Sequence, residues 1–305
     1  MEKVYHYTSM KAFLSLIESI KNDNFVFNAT NIFFCNDPQE FVYGQEVLLE
    51  LIKHIESKKN IEDRIRLSSL FGNDNKKCRL KMIVDSIHEH NESPYIISFS
   101  RNRDNLPMWL NYGDGGKGVC LEFVEYRGKI DWDNYDYQNT RNENVIIYDM
   151  LGTHDVNYDV DGLRENDNIL QKTAESIYDY YLKQLNTITS NEVLDLAIST
   201  IKALTIVTAP YIKTKKWSYE KEVRLAKTIR YDENNQIDKV QFRCNLKGNI
   251  IPYIDIEIPV KQLSSIRIGP LVNKELAKRV LNMIKKRYSN LKFDINESAI
   301  EYQNY

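Results

Sequence analysis

Glu220, Glu222 and Arg224 alternate along a β-prone segment, so a period of two sets all three on one face. Paired carboxylates on one face repel unless a cation or a substrate hydroxyl sits between them, which is the setting in which carboxylates do chemistry. An edge strand with a solvated charged face would show the same spacing. A second group, His6-Tyr7-Thr8-Ser9, ends a short β-prone run where a helical pattern begins. A histidine there can hydrogen-bond a ligand hydroxyl, and so can a hydroxyl side chain at a helix start. Thr8 or Ser9 also serves simply as the helix cap.

Two further groups complete the set. Asn36-Asp37-Pro38-Gln39-Glu40 reads as an Asx turn that caps a helix starting near Gln39, or as a loop beside a ligand. Ser98 and Ser100 alternate with Phe99 at a strand end, where small hydroxyl residues let backbone approach a ligand. Trp109 and Tyr112 follow, three apart on a short helical run, and so share a face that is either core or binding surface. Gly113, Gly115, Gly116 and Gly118 mark a tight turn or a backbone contact with a ligand. They match neither a Walker loop nor a dinucleotide fingerprint.

Other chemistries find no support in the residues. Cys35, Cys78, Cys120 and Cys244 lie too far apart for a CxxC pair or a disulfide framework. The five histidines are scattered, and His88-Glu-His90 has the wrong helical spacing for one metal-binding face, so no metal is expected. No GxSxG elbow occurs. With 41 basic and 43 acidic residues, no global positive field draws the chain to nucleic acid. Residues 1–10 show no basic start with an apolar core, and no apolar run approaches the ~20 residues of a membrane span. A reduced, cytoplasmic protein without a membrane partner is expected.

The elements that must position these residues follow from periodicity. Strands are predicted at Glu2–Tyr7, Phe25–Phe27, Tyr95–Ser100, Gly118–Phe123, Glu222–Ile229, Val240–Cys244, Ile250–Ile256, Ile266–Ile268 and Leu291–Ile295. Helices are predicted over about Met10–Lys21, Asp167–Gln184, Asn191–Ala209 and Lys274–Tyr288, with one or two turns at Leu106–Tyr112. Residues 41–90 read as helical with a break at Gly72–Asn75, and Asp131–Asn168 as irregular and acidic. Strands at both ends with helices between them point to α+β, one domain over 1–305 with helical insertions at about 41–92 and 165–210.

Taken in order, His6-Tyr-Thr-Ser, Asn36-Asp-Pro-Gln-Glu40, Ser98-Phe-Ser-Arg101, Met108-Trp-Leu-Asn-Tyr112 and Trp217-Ser-Tyr-Glu-Lys-Glu-Val-Arg224 resemble a widespread bacterial family, the domain of unknown function numbered 2971. Ile268-Gly-Pro270 before a helix fits it too, so the resemblance runs over nearly the whole chain. More distantly, the chain is similar to the ADP-ribosyltransferase superfamily. There a His or Arg on an early strand, a Ser or Tyr motif in mid-chain and a late Glu occur in this order, here as His6, Ser98/Ser100 or Tyr112, and Glu222.

That second resemblance implies an ADP-ribosyltransferase-like mixed or antiparallel sheet core and NAD as substrate. Glu222 would stabilise an oxocarbenium-like state and hold a ribose hydroxyl, while Glu220 would orient the acceptor. His6, Tyr7 and Thr8 would hold the ribose or phosphate side, with Ser98 and Ser100 beside them. Tyr112 or Trp109 would stack on nicotinamide, and Arg101 or Arg224 would pair with the pyrophosphate. Lys213, Lys215 and Lys216 would form a basic rim for a protein or nucleic-acid acceptor. The implied activity is ADP-ribosyl transfer or NAD hydrolysis, as in a toxin or anti-phage effector. Two other readings stay open: a metal-dependent nuclease using Asp37, Glu220 and Lys221, and a non-catalytic nucleotide- or partner-binding module.

Overall fold

The computed structural model describes residues 2–37, 39–62, 65–70, 76–89, 92–125, 153–158, 160–163, 168–228, 239–245 and 248–302. The predicted break at Gly72–Asn75 and most of the stretch Asp131–Asn168 lie outside these residues. The chain opens with strand β1 (Lys3–Thr8), helix α1 (Met10–Glu18) and strand β2 (Asn24–Asn31). Helices α2 (Glu40–Lys58), α3 (Leu67–Leu70) and α4 (Lys76–Glu89) precede strand β3 (Pro94–Ser100), helix α5 (Leu106–Tyr112) and strand β4 (Val119–Val124). Strand β5 (His154–Asp155) then leads to helices α6 (Val160–Leu163), α7 (Ile169–Leu185) and α8 (Val193–Thr208). The last third holds strands β6 (Glu222–Thr228), β7 (Gln241–Cys244), β8 (Ile250–Pro259) and β9 (Leu263–Ile268), helix α9 (Lys274–Arg287) and strand β10 (Asp294–Glu297).

The class is α+β, as composition and pattern predict. One open sheet runs β10-β9-β4-β1-β3-β2-β8-β7, with β6 paired to β3 and β5 to β6. The β9–β10 pair is parallel, and the other pairs are antiparallel. Four strands differ clearly from their predicted limits, for tertiary reasons: β8 runs on to Pro259, paired with Asn24, and β9 starts already at Leu263, paired with Phe123. β2 outgrows Phe25–Phe27 because β8 pairs with it from Asn24 to Thr30. The last strand begins only at Asp294, since Leu291 and Phe293 are buried in the core and ladder pairing with β9 starts after them.

Alternation along β3 divides the interior. Tyr95, Ile97 and Phe99 enter a core shared with Phe13 of α1, Phe25 and Phe27 of β2, and Leu281 of α9. Ile96 points the other way, into a core built by α2, α7 and α8 through Leu48, Ile52, Tyr178 and Leu204. Local capping supports these helices: Ser9 accepts from Ala12 N at 3.1 Å to start α1, and Asn105 accepts from Met108 N at 3.3 Å to start α5. The segment Ser190–Tyr211 corrects the expectation that no apolar run reaches span length, since by length and composition it could cross a membrane. Of its most apolar window, 61% is buried within the protein, with Ile201 and Leu204 fully enclosed.

The ladder around β3 is incomplete. One edge pairs with β6 along its full length, from Pro94↔Thr228 to Ser100↔Glu222. The other edge meets β1 only at Ser100↔Tyr5 and β2 only at Thr30↔Ile96 and Asn31↔Tyr95. Between those contacts, opposite Ile97–Phe99, β1 and β2 part and a cleft opens.

Gly118 fixes one wall of that opening. A Cβ there would stand 2.1 Å from the carbonyl oxygen of Thr8 and 2.9 Å from that of Gly113. Gly118→Ala must therefore displace the end of β1, and about 1–3 kcal/mol of destabilisation is expected. Denaturant unfolding measures it; an unchanged midpoint would contradict the close approach.

Candidate functional site

The cleft has a volume of about 910 Å³, within the roughly 300–1,000 Å³ typical of small-molecule and cofactor sites. His6 and Thr8 reach it from β1, Ser98 from β3 and Tyr112 from α5. Glu220, Glu222 and Arg224 form part of its lining from the opposite side of β3, and Arg243 and Tyr253 from the far strands.

His6 sits where the sheet parts. Its Nδ1 lies 2.9 Å from the carbonyl oxygen of Ser98, in the stretch of β3 that β1 and β2 leave unpaired. A carbonyl only accepts, so Nδ1 carries the hydrogen and Nε2 of the neutral ring is the acceptor. Edge contacts to Phe27 and Phe99, at 5.4 and 5.7 Å, surround the ring with apolar surface. Burial lowers its pKa below the ordinary value of 6.5, against the opposing effect of the Ser98 hydrogen bond. His6 is therefore expected to titrate below pH 6.5, which NMR of labelled histidine will read; a midpoint above 6.5 would mean the ring is ion-paired or solvated.

The charged residues converge behind Ser98. In register, Glu222 faces Ser100 and Arg224 faces Ser98, so the two charges share the face that looks toward the helices. Arg224 is 1% exposed. Its Nε donates to Glu222 Oε1 at 2.8 Å, its Nη2 to Glu222 Oε2 at 2.9 Å, and its Nη1 to Glu40 and to the Pro210 carbonyl. Lys213 Nζ donates to Glu220 Oε2 at 2.7 Å and to Glu222 Oε2 at 3.1 Å, and lies 3.6 Å from Glu40. Tyr112 donates its hydroxyl to Glu220 Oε1 at 2.5 Å. Three carboxylates against two cations leave one formal negative charge beside the cleft.

Electrostatics within the cluster hold Glu222 ionised. Burial alone would raise the Glu222 carboxyl, but Arg224 and Lys213, with hydrogen bonds from Arg224 and Ser98, bring it down to about 2. Burial works against the Lys213 ammonium as well, yet the Glu222, Glu40 and Glu220 carboxylates outweigh it and raise its pKa. Burial, then Glu220, push the Tyr112 phenol up, so it stays a donor. Cys35, also on the cleft, has its thiol pushed up to about 12 by burial and is a thiol rather than a thiolate at neutral pH.

Local chain geometry builds this arrangement. A short 3-10 turn, Lys215–Glu220, is followed by Lys221 at φ 41°, a left-handed residue that swings the chain into β6. Glu220 thus lies before the strand rather than on it, and reaches the same cluster as Glu222 through Lys213. The reading of Glu220–Arg224 as a solvated edge is corrected: β6 is paired on both sides and these side chains are buried. The basic-rim reading is corrected for Lys213, which turns inward with its Nζ also 4.8 Å over the Trp217 ring, while Lys215 and Lys216 are exposed. Asp37 accepts from Gln39 N at 3.1 Å, as an Asx turn requires, and from Trp217 Nε1 at 3.0 Å.

The remaining sequence-predicted residues stand beside the cleft rather than all within it. Tyr7 borders it, but its hydroxyl donates to the Asn102 carbonyl at 2.7 Å. Trp109 is fully buried, edge-on to Tyr7 at 4.9 Å, with Nε1 donating to Asp104 at 2.7 Å. The Ser100 hydroxyl donates to the Glu220 carbonyl and accepts from Asn102 N at 2.9 Å. Arg101 is closed by Glu125, at 2.8 and 3.0 Å, and by Asp155, at 2.7 and 2.9 Å. Among the described residues, no group of three or more His, Cys, Asp or Glu side chains could hold a metal ion.

Tyr158 and Arg243 escaped sequence reasoning as site residues, while Glu40 and Lys213 entered it only within the Asn36–Glu40 loop and the basic rim. The Tyr158 hydroxyl accepts from Glu222 N at 2.8 Å and so holds the first residue of β6. For Lys213 a signal existed: the apolar run Ala209–Ile212 leads straight into it.

Residues 108–225 match the family model for a protein of unknown function, DUF2971. The match supports the family resemblance over α5 to the start of β6, which carries Tyr112, Lys213, Glu220, Glu222 and Arg224. It is narrower than the four-block resemblance, for His6, Asn36–Glu40 and Ser98–Arg101 lie outside it. No curated protein and no solved structure matches the chain.

Proposed function

We propose that the protein cleaves the nicotinamide–ribose bond of NAD, passing the ADP-ribosyl group to a macromolecule or to water. The observation that carries this reading is the formally net-negative carboxylate cluster on a cleft of cofactor size, with neutral His6 at the same opening. When the C1′–N bond breaks, the electron pair leaves with nicotinamide, whose ring nitrogen becomes neutral. Positive charge then develops on the ribose carbon. A carboxylate held at a pKa of about 2 takes no proton at neutral pH, so Glu222 acts by charge rather than as a base. The Nε2 of His6 accepts from a ribose hydroxyl, and Tyr112 offers an aromatic ring on the cleft wall as a platform for nicotinamide. The attacking oxygen, from water or the acceptor, loses its proton to solvent or to a base on the acceptor side. Such an activity would suit a toxin or anti-phage effector, with Lys215 and Lys216 placed at the surface for a macromolecular acceptor.

The test is nicotinamide release from NAD by the purified protein, with and without cell lysate as acceptor and with a chelator arm. Release indifferent to chelator is expected. No release in either condition would sink the reading, and chelator-sensitive nucleic-acid cleavage would move it to the nuclease alternative. A second reading, a nucleotide-binding module without chemistry, draws on the commitment of Glu220 and Glu222 to Lys213 and Arg224. NAD binding that survives Glu222→Gln without turnover in either protein would favour it.

A further inference from the structure

We propose that Arg243 is the anion subsite of the cleft and takes a phosphoryl group of a nucleoside diphosphate. The inference rests on the reading of the cleft as a nucleotide site and deepens it. Arg101 and Arg224, the guanidinium groups that sequence reasoning set against a pyrophosphate, are both committed to carboxylates. Arg243 is different. Among the described residues no carboxylate pairs with it, although it faces the same cleft.

Its side chain is nevertheless held in place. Arg243 lies on β7 opposite Ile251, and β8 in turn pairs Tyr253 with Thr30 of β2. The guanidinium reaches across both strands: its carbon stands 5.5 Å over the Tyr253 ring, and Nη2 donates to Thr30 Oγ1 at 2.7 Å. One bond and one stacking contact fix the plane while leaving the other N–H groups of the fork open to the cleft. The carboxylate on this patch, Asp255, is engaged by Asn28 at 3.1 Å and Gln241 at 2.7 Å rather than by Arg243. Lys11, exposed on α1, is a second cation bordering the cleft, again with no carboxylate partner among the described residues. Partial withdrawal of the guanidinium from water lowers the Arg243 pKa, with Tyr253 and Cys35 the groups acting the other way.

A planar, pre-set guanidinium is matched to phosphate oxygens, which accept two parallel N–H bonds from it. The cleft therefore has a cationic side at β7–β8 and an anionic side at Glu220–Glu222. A ligand that is anionic at its diphosphate and hydroxyl-bearing at its ribose suits both. Free diphosphate suits only the first.

Calorimetric titration with ADP, adenosine and inorganic pyrophosphate, on the wild type and on Arg243→Gln, tests the assignment. Because Arg243 is exposed and lightly bonded, the variant should keep the wild-type melting temperature. ADP binding is expected to weaken by at least about tenfold in Arg243→Gln with adenosine binding unchanged, as for a lost charge-assisted hydrogen bond. Arg243→Lys should fall between, since it keeps charge but loses the fork. Equal ADP affinity in both proteins, or ADP bound no better than adenosine by the wild type, would overturn the subsite. Pyrophosphate bound as tightly as ADP would overturn its assignment to a nucleotide. Absence of nicotinamide release with ADP binding still dependent on Arg243 would count against the NAD chemistry alone.

Discussion

Arg224→Ala is expected to cost about 3–5 kcal/mol of stability, the range for removing one partner of a buried ion pair. The guanidinium is 1% exposed and answers two carboxylates, Glu40 at the start of α2 and Glu222 at the start of β6. Without it, Glu40 and Glu222 face each other across a site with Lys213 as the remaining cation. Glu40 also lies in the first turn of a helix, where the dipole favours its charge but cannot replace a charge-assisted N–H bond from Arg224. Denaturant unfolding measures the loss, and a change below about 1 kcal/mol would show that water or local rearrangement supplies what Arg224 supplies here. Adding Glu40→Gln and Glu222→Gln to the variant should recover part of the loss, because the uncompensated charge and not the missing contact dominates it.

The same network sets an acid limit. The folded-state pKa of Glu222 is depressed, to about 2 from an ordinary 4.5, so its ionised form contributes stability that is fully present above about pH 4.5. That contribution is lost as pH falls toward 2. Melting temperature recorded across this window should fall less steeply in Glu222→Gln, which has no carboxyl to titrate.

Glu222→Gln carries the largest expected effect on activity, a fall in nicotinamide release of roughly 10³-fold, comparable to removing one electrostatic stabiliser of a transition state. The substitution keeps the side chain's size and the bond from the residue 222 backbone N–H to the Tyr158 hydroxyl. What changes is charge: the cluster goes from one formal negative to none, just where the ribose becomes positive. Loss confined to kcat, with KM for NAD little changed, is the signature expected of an interaction made in the transition state. A rate within about threefold of wild type would remove Glu222 from the chemistry. Melting temperature measured beside it separates an inactive protein from an unfolded one.

Much of the frame was legible in the residues. The period-two run of β3, the capped periodicity of α1 and the Asn105–Pro107 start of α5 are local signals, and the elements stand where they predict. The four blocks that could do chemistry were legible too, because His, paired Glu and small hydroxyl residues are conspicuous at strand ends. Roles within those blocks were not. Trp109 and Tyr112 share a helix, yet one is enclosed by Tyr7 and Met108 while the other meets Glu220, and only packing separates them. Lys213 reads as one of three surface lysines until Glu40, Glu220 and Glu222 enclose it.

By itself, then, the sequence determined an α+β chain, the strands that carry His6, Ser98 and Glu222, and the residue types available for a site. Those follow from near-neighbour physics: periodicity, capping and turn chemistry act within a few residues. The tertiary structure decided which charges are spent and which are open. Arg224 and Arg101 meet carboxylates from distant segments, Arg243 meets Thr30 and Tyr253, and β1 and β2 part opposite Ser98. Charge pairing such as that of Arg224 with Glu40, 184 residues apart, depends on strand order and register, which no local pattern encodes.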